Sequence, residues 1–518
     1  MEGKRNSVLE MARVFNLVVF WSMGYLSYIR SFSSVRNLVS GRTSAFAITR
    51  DKVSSSATRS RIHPTKNVAF SSKVSISDTY DSGRIELVDI RDGDDGRSKI
   101  VSLRIKPDPF TELEKVSHSQ YFSFRSTIQT TRHNITNPES SRNDNDEKGY
   151  PITYELVNAD QCSYPNAWHG YHVFSTKSLE NPDSWRRELS THYEGGKLVW
   201  KYEHTNSMES VYFSYFRPFS YARHLDLVEK CSEFADVFSL GQTIEGREIE
   251  CIRVGTGKSI GWIIHRQHPG EHMAEFFAEG LLGRLLGLDS SGDTDGLVRQ
   301  LLSKYTFYIV PSMNPDGAAA GHLRVNAGGA NLNREWCSSG DNYSAPSLER
   351  SPEVYHVLEK MKETGCDVFC DIHGDEEIPY NFLAQSVTPS WGKRLKALHG
   401  AFSAAYSRTN PDMQSKYGYN VGEYAEGDIL NIASDQVAHL FDCLSVTLEM
   451  PFKDCWSNSD PERGWSPARS RKLGASLCEP LLYIHPYLRV DNQDEETFAN
   501  SFPEEDSYVT PTSDYDAT

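Results

Sequence analysis

The sequence predicts an α/β domain, with a mixed sheet flanked by helices, preceded by an all-β sandwich domain. Between about residues 80 and 220, aromatic and β-branched residues alternate with polar ones, which is the pattern of half-buried strands. From about Tyr221 onward, short apolar runs alternate with longer segments of helical periodicity. This alternation indicates a largely parallel or mixed sheet that is covered by helices on both faces. A chain of 518 residues is also long enough for two or three domains.

Composition divides the chain further. The N-terminal residues are rich in serine and basic side chains, and residues 491–518 contain nine acids and no Lys or Arg. The acidic composition of residues 491–518 is typical of a solvated, disordered tail. We therefore expect a targeting or disordered extension, an all-β domain, an α/β domain and an acidic disordered tail. In that order they cover residues 1–76, 77–222, 223–490 and 491–518.

The individual elements follow from these patterns. In the all-β region we predict strands over residues 85–90, 100–105, 120–125, 152–157, 198–202 and 211–216. The polar segment 134–148 is predicted to be a long surface loop or a disordered insertion. In the α/β region we predict strands over residues 259–266, 306–311, 367–372 and 445–450, and helices over 272–286, 353–363 and 467–484.

Four polar residues lie at or near the ends of these α/β strands, namely His268, Asn314, His373 and Glu449. In open α/β sheets a functional site lies beyond the carboxyl ends of the strands. The position of these four residues therefore favours a functional site at this edge of the sheet.

The short run His268-Pro269-Gly270-Glu271, together with the distant His373, offers two imidazoles and one carboxylate. This set can bind one zinc ion and leave a fourth position open for water, as in catalytic zinc sites. Pro269 and Gly270 disfavour a helix directly after His268, so the first two ligands are expected on a turn. The neighbouring His265 and His272 are expected to have packing or solvent-facing roles.

Two acids in predicted strands are candidates for further roles. Glu449 lies in a buried-looking strand, and a buried carboxylate must be paired, metal-linked or functional because leaving it alone is costly. Asp371 lies two residues before His373, so both side chains can face the same side of the strand, and a hydrogen bond between them is possible.

Several motifs occur together with this candidate zinc set. They are Asn314-Pro315-Asp316-Gly317, Arg324-Val325-Asn326, Asn331-Leu332-Asn333-Arg334 and Thr447-Leu448-Glu449-Met450-Pro451-Phe452. The whole set resembles the zinc metallocarboxypeptidases. Residues 331–336, 373–376 and 449–453, and residues 167–171 and 212–216 of the β region, are similar to the cytosolic carboxypeptidase branch of that family. The resemblance covers roughly residues 80–487, and it implies a carboxypeptidase-like mixed sheet of the eight-stranded type.

The resemblance also implies roles for individual residues. His268, Glu271 and His373 would bind zinc, one ion per chain, and Glu449 would be the general base. Arg324 would polarise the scissile carbonyl and stabilise the oxyanion. Asn333 and Arg334 would bind the terminal carboxylate of a peptide or protein substrate. Relatives also cap the substrate with a tyrosine; Tyr417, Tyr419 and Tyr424 are candidates, and spacing does not choose among them.

The resemblance suggests removal of acidic residues, notably glutamate, from C-termini. Such a preference would require a cation in the pocket, for which Arg350 and Lys453 are candidates. Two other functions stay open at this point. One is a zinc amidohydrolase acting on N-acyl amino acids, and the other is a catalytically inactive module that binds C-termini. The presence of all three ligands and of Glu449 argues against the inactive module.

The net charge of −16 argues against a general nucleic-acid binder. We expect no stable membrane insertion of the mature chain. The nine cysteines have no CxxC pairs and no regular spacing, which argues against a disulfide framework and favours buried thiols in a reducing compartment.

Residues 3–72 contain eleven Lys and Arg residues against two acids, and many serines, a composition typical of a transit peptide to a mitochondrion or plastid. The uncharged segment 14–29 leaves a signal peptide or signal anchor as an alternative. A plain disordered extension on a cytosolic protein is the third possibility.

Overall fold

Two five-stranded sheets and one seven-stranded sheet organise the described part of the chain. The computed structural model describes residues 72–489 apart from 111–115, 131–148, 206–207, 338–344, 421, 423–424 and 427–429. The predicted N-terminal extension up to residue 71, the loop 134–148 and the acidic tail lie outside the described residues.

The first two sheets form the β-domain. The strands are β1 (Ser72–Ser77), β2 (Glu86–Asp92), β3 (Lys99–Arg104), β4 (Ser123–Thr130), β5 (Tyr150–Leu156), β6 (Phe174–Thr176), β7 (Arg186–Arg187), β8 (His192–Glu194), β9 (Lys197–His204) and β10 (Ser210–Ser214). One sheet has the order β1-β4-β10-β6-β7 and the other β2-β3-β5-β9-β8. Strand β1 pairs with β4, so residues 72–76, assigned to the extension from sequence, belong to the first sheet.

Aromatic side chains from both sheets fill the core between them. The ring of Phe124 on β4 lies 5.9 Å from that of Tyr154 on β5, and Trp200 on β9 stacks on Tyr154 at 5.3 Å. Phe213 on β10 completes the cluster at 4.8 Å from Tyr154. All four residues are buried, so this core removes a large apolar area from water. On β4, β5, β9 and β10 the predicted alternation thus places aromatic side chains in the core.

The seven-stranded sheet belongs to the α/β domain and has the order β11-β12-β14-β13-β15-β17-β16. Its strands are β11 (Asp236–Gln242), β12 (Glu248–Val254), β13 (Ser259–His265), β14 (Tyr305–Val310), β15 (Val368–Ile372), β16 (Phe382–Gln385) and β17 (Leu444–Glu449). The four central strands pair in parallel, whereas β11 with β12, β12 with β14 and β16 with β17 pair antiparallel. The predicted mixed α/β sheet is confirmed, with seven strands in the described residues where the family resemblance implied the eight-stranded type.

Nine α-helices accompany this sheet in the part of the chain that the structure describes. They are α1 (Tyr221–Ser232), α2 (Met273–Leu286), α3 (Gly296–Lys304), α4 (Pro315–Ala320), α5 (Pro352–Thr364), α6 (Lys393–Thr409), α7 (Ala433–Phe441), α8 (Pro467–Ala475) and α9 (Cys478–Ile484). The single closing helix predicted over residues 467–484 is wrong, because it is divided into α8 and α9. Pro480 explains the division, since it has no N–H to bond to residue 476 and its ring clashes with that carbonyl in a continuous helix.

The β-domain packs directly on the α/β domain. The ring of Tyr215, just after β10, stacks on Phe452, which follows β17, at 4.7 Å. The buried guanidinium of Arg217 donates to the backbone oxygens of Arg463 and Trp465. Both terminal nitrogens of the guanidinium thus donate to carbonyl oxygens, and the guanidinium carbon also lies 4.0 Å from the centre of the Phe174 ring, whose face attracts a cation.

The structure also bears on the cysteines and on membrane spans. All nine cysteines are free and buried, in agreement with the prediction of ordinary thiols. Within the described residues, no helix combines the length and the apolar character that a membrane span needs.

Candidate metal centre and substrate cavity

The three residues predicted to bind zinc converge at the carboxyl ends of β13 and β15. His268 and Glu271 lie on the turn after β13, and His373 directly follows β15. The Nδ1 atom of His268 lies 2.6 Å from Glu271 Oε1 and 3.2 Å from Nδ1 of His373. Glu271 Oε2 lies 2.8 Å from Nδ1 of His373. The three side chains are buried, and they form the group of potential metal ligands among the described residues.

The separation of the two imidazole nitrogens fits a zinc ion. Two ligands at about 2.1 Å from a tetrahedral ion lie roughly 3.4 Å apart, close to the 3.2 Å between the two Nδ1 atoms. Each of the two Nδ1 atoms can bind a metal only when it carries no proton. Two imidazoles and one carboxylate are the donor set of a catalytic zinc site.

The second nitrogen of each imidazole is held by a polar partner. His268 Nε2 donates to Asn331 Oδ1 at 3.1 Å, and His373 Nε2 donates to Asp371 Oδ2 at 2.9 Å. With the proton on Nε2, Nδ1 of each ring is left unprotonated for a metal. Gln267 Nε2 also donates to Asp371 Oδ2, at 2.6 Å, and so fixes the carboxylate. The predicted contact between Asp371 and His373 is confirmed, whereas the role of Asn331 was not anticipated.

A short, strained turn brings His268 and Glu271 together. Arg266 has φ of 57°, and its guanidinium donates to the carbonyl oxygens of Pro269 and Phe219 and pairs with Glu275. At Gly270 a Cβ would lie 2.9 Å from the backbone oxygen of Leu323, so only glycine allows this close approach. The turn and the segment that carries Arg324 are therefore packed backbone to backbone.

The two neighbouring histidines have structural roles, as predicted. His265 Nδ1 hydrogen-bonds the backbone oxygen of Val310 at 2.9 Å. His272 Nδ1 accepts the N–H of Phe219 at 3.0 Å. Burial lowers the pKa of both imidazoles, which keeps them neutral. Neither ring is directed at the candidate metal position.

A cavity of about 520 Å³ opens onto this centre. All seven residues to which sequence assigned a role line it: His268, Glu271, Arg324, Asn333, Arg334, His373 and Glu449. They come from segments up to 181 positions apart in the chain, so the fold brings together what the motifs suggested separately.

Glu449 is the last residue of β17, and its carboxylate is almost fully buried. The hydroxyl oxygen of Tyr419 lies 3.3 Å from Glu449 Oε1, while Oε2 has no hydrogen-bond partner within the described residues. Burial raises the pKa of this carboxyl, and nearby Glu271, Asp375 and Asp371 add to the effect, although His373 opposes it. A cavity-lining carboxylate with one uncommitted oxygen can accept a proton from a bound water.

The three polar residues predicted to contact substrate lie around the same cavity. Arg324 Nη1 donates to the hydroxyl of Tyr164 at 3.0 Å. Arg334 follows Asn333 in a short 3-10 helix and donates to the carbonyl oxygen of Asn333 at 2.7 Å. Asn333 Oδ1 accepts the N–H of Ala433 at 2.9 Å, which orients the amide group. Two guanidinium groups and one amide therefore offer donors for a carbonyl and a carboxylate.

The cavity is also lined by residues that the sequence left undecided or missed. Tyr419, one of three candidate capping tyrosines, lines the cavity and bridges Asp375 and Glu449, with a 2.7 Å bond to Asp375 Oδ2. Tyr417 instead stacks on Tyr380, and Tyr424 lies outside the described residues. Tyr164, from the β-domain, and Asp435, near the start of α7, also line the cavity. No local motif marks either residue, so only the fold could reveal them.

Comparison with known proteins agrees with this arrangement. Residues 221–460 match the family described as zinc carboxypeptidase, and residues 142–216 match the cytosolic carboxypeptidase N-terminal domain. A metallo-carboxypeptidase from Burkholderia cenocepacia is 37% identical, with a TM-score of 0.68, over 80% of this chain and 99% of that chain.

Two further proteins are similar over most of their length. A metallo-carboxypeptidase from Pseudomonas aeruginosa, solved in complex with (2-guanidinoethylmercapto)succinic acid, is 36% identical with a TM-score of 0.67. The match covers 80% of this chain and 100% of that one. An uncharacterized protein of Zymomonas mobilis is 38% identical over 350 residues, which is 67% of this chain and 87% of that protein.

Proposed function

The chain belongs to the zinc carboxypeptidase family, and on this premise we propose that it removes C-terminal residues from peptides or proteins by zinc-dependent hydrolysis. The observation that carries the proposal is the convergence of His268, Glu271 and His373 in a cavity that also contains Glu449 and two arginines. When bound, zinc would lower the pKa of a water molecule to about 7 and so supply a nucleophile near neutral pH.

The chain's own residues would perform the remaining steps. Glu449 would accept a proton from the attacking water at its carboxylate and later deliver it to the leaving amine. Arg324 would direct its guanidinium at the carbonyl oxygen, where negative charge develops in the transition state. The hydroxyl of Tyr419, which lies beside Glu449, is the candidate cap over the bound substrate.

Recognition of the free C-terminus would rest on Arg334 and Asn333. The planar guanidinium of Arg334 can bind a carboxylate through two parallel hydrogen bonds, and the Asn333 amide can add a third. Because this carboxylate site lies in the same cavity as Glu449, only the terminal peptide bond would reach the metal centre. This geometry would make the enzyme an exopeptidase.

The proposal is tested on the purified protein by metal analysis and a peptide assay. We expect about one zinc per chain, release of single C-terminal residues, and loss of release on adding a chelator, with recovery when zinc is restored. N-acyl amino acids in the same assay test the amidohydrolase alternative. Zinc-loaded protein that cleaves acyl amino acids but no peptide would overturn the proposal, as would protein that binds peptides without cleaving them.

Asp371 provides a prediction about metal binding. The negative charge of Asp371 orients His373 and makes its Nδ1 a stronger ligand. The change Asp371→Asn removes this charge. Loss of such a hydrogen-bond partner typically weakens metal affinity by about 10- to 100-fold, and we expect a loss of this size in a zinc titration against a competing chelator. The exposed Asp236, changed to Asn, serves as the control. Equal zinc affinity in the two variants would contradict this role for Asp371.

The identity of the released residue depends on the charges in the cavity. The resemblance suggested glutamate, which requires a cation for its side chain. The two cations suggested from sequence do not line the cavity: Arg350 pairs with Glu335 at 2.6 Å, and Lys453 donates to the backbone oxygen of His169 at 2.9 Å. Among the described lining residues, the only Arg or Lys side chains are those of Arg324 and Arg334, which already have proposed roles.

The remaining charges favour a basic residue as a second candidate substrate. Besides Glu271 and Glu449, the carboxylates of Asp375, Glu376, Glu377 and Asp435 line the cavity. The positive charge of nearby Arg334 lowers the pKa of Asp435 and so opposes the effect of burial. One carboxylate oxygen of Asp435 accepts the N–H of Val387 at 2.7 Å. The compound bound by the Pseudomonas enzyme carries a cationic guanidino group together with carboxyl groups. These observations support release of C-terminal Lys or Arg, with Asp435 facing the cationic side chain.

Peptides that differ only in the last residue decide between the two preferences. If Asp435 binds a cation, Asp435→Asn should lower kcat/KM for C-terminal Arg by about 10-fold or more, while a C-terminal Leu substrate is affected little. Burial raises the pKa of Asp435 to about 6, so the preference for Arg should weaken as the pH falls below that value. Asp442→Asn, after the last residue of the same helix, is the matched control. A wild-type preference for C-terminal Glu would instead support the expectation from the resemblance.

For the N-terminal region we propose a transit peptide to a mitochondrion or plastid, on the composition of residues 3–72 alone. Residues 1–76 fused to a fluorescent protein should enter one of these organelles. Diffuse cytosolic fluorescence or entry into the secretory route would contradict the proposal.

A further inference from the structure

One carboxylate of the β-domain holds the backbone of the segment that carries Arg324. Asp108 lies in the connection between β3 and β4 and is 4% exposed. Its Oδ1 accepts the N–H of Leu323 at 2.7 Å, and its Oδ2 accepts those of Arg324 and Val325 at 2.7 Å and 3.2 Å. Three hydrogen bonds to one charged group fix the direction in which the Arg324 side chain leaves the backbone.

A second residue of the β-domain contacts the side chain of the same arginine. The hydroxyl oxygen of Tyr164 accepts a hydrogen bond from Arg324 Nη1 at 3.0 Å, and Tyr164 lines the cavity. Its backbone is fixed by the buried Gln120, which accepts from the N–H of Tyr164 and donates to its carbonyl oxygen, both at 3.2 Å. Burial raises the pKa of the phenol, and nearby Glu376 adds to this, so the hydroxyl remains neutral and can accept from a cation.

The segment is also packed against the metal-binding turn. The N–H of Gly270 donates to the backbone oxygen of Leu323 at 3.0 Å, so the position of Leu323 is tied to the turn between His268 and Glu271. Arg324 is thus located between the metal-binding turn and two groups of the β-domain. A shift of the β-domain contacts would move its guanidinium relative to the candidate zinc position.

We propose that the β-domain contributes to the active site through two positioning residues. Asp108 and Tyr164 orient the guanidinium of Arg324 toward the scissile carbonyl. The inference rests on the proposed function, because it takes the role of Arg324 from it. Misplacing a catalytic group by a fraction of its hydrogen-bond length lowers the rate even when the group itself is unchanged. The β-domain therefore contributes to turnover as well as to folding.

The experiment is a double-mutant cycle on the full-length, zinc-loaded protein. Tyr164→Phe keeps the ring and removes the hydroxyl that accepts from Arg324. We expect kcat to fall by roughly 10-fold, the loss of one hydrogen bond to a charged group. KM, zinc content and the temperature of unfolding should change little, because the guanidinium that Tyr164 orients stabilises charge that develops only in the transition state. Tyr193→Phe, on β8 of the same domain and away from the cavity, is the matched control.

The cycle separates positioning from other roles. In an Arg324→Ala background, Tyr164→Phe should cost no further activity, since there is no guanidinium left to aim. Asp108→Asn replaces one acceptor oxygen by a donor and should lower kcat in the same way; if that variant does not fold, Tyr164→Phe decides alone. Full activity of Tyr164→Phe, or an equal loss in both backgrounds, would overturn the inference. Absence of peptidase activity in the wild-type protein would instead reject the proposed function.

Discussion

Replacement of Glu449 by Gln is expected to stop peptide hydrolysis while the zinc stays bound. Glutamine has the shape of glutamate, so the contact with Tyr419 and the packing at the end of β17 can persist. It cannot accept a proton, however, and general-base catalysis is typically worth about 10²- to 10⁴-fold in rate. We expect kcat to fall by a factor in this range and KM to change little, as measured by steady-state release of the terminal residue.

The pH dependence gives a second test of the same residue. Glu449 must be ionised to act as a base, so kcat/KM should fall as the pH is lowered through its pKa, which burial raises. In Glu449→Gln this acidic limb should disappear from any residual activity. Metal analysis serves as the control, because the variant should retain about one zinc per chain. A zinc-loaded variant that is as active as the wild type would reject Glu449 as the base.

Replacement of Arg334 by Gln is expected to lower kcat/KM by roughly 10²- to 10³-fold. The substrate carboxylate would lose its charged partner inside a desolvated cavity, a change that typically costs about 2–5 kcal/mol. Arg334→Lys should recover only part of the activity, since an ammonium keeps the charge but cannot form two parallel hydrogen bonds. The surface change Arg408→Gln serves as the control for a general effect of charge.

The choice of substrate makes this prediction specific. A peptide with an amidated C-terminus lacks the carboxylate, so the wild-type enzyme should cleave it poorly and Arg334→Gln should reduce its cleavage much less. A variant that loses activity equally toward free and amidated peptides would show that Arg334 acts on something other than the terminal carboxylate.

Much of the candidate metal centre could be predicted because its residues belong to short, local motifs. His268 and Glu271 are joined by a turn that Pro269 and Gly270 require, and His373 and Glu449 stand at the ends of apolar strands. Strand ends at one edge of a parallel sheet must lie close together, so proximity follows from the pattern. The contact between Asp371 and His373 was also foreseeable, since alternate residues of a strand face the same side.

The elements themselves were predicted less evenly. Strands and helices with strong periodicity, such as β13 and α2, start and end within one or two residues of the prediction. The closing helix was predicted as continuous because its apolar residues keep a helical period across the break. Pro480 divides the helix because it lacks an N–H, and the period of the apolar residues does not show this.

The sequence by itself determined the candidate metal ligands and, through the family resemblance, the class of enzyme, because ligand types, turn chemistry and strand ends are local properties. Only the tertiary structure decided what surrounds the reacting atoms. Asp435 lies on α7, Tyr164 and Asp108 come from the β-domain, and none belongs to a recognisable motif. The charge of a cavity is a sum over side chains that are distant in the chain and adjacent in space. The carboxylate of Asp108 accepts three backbone N–H groups, but in the sequence Asp108 cannot be distinguished from any other aspartate.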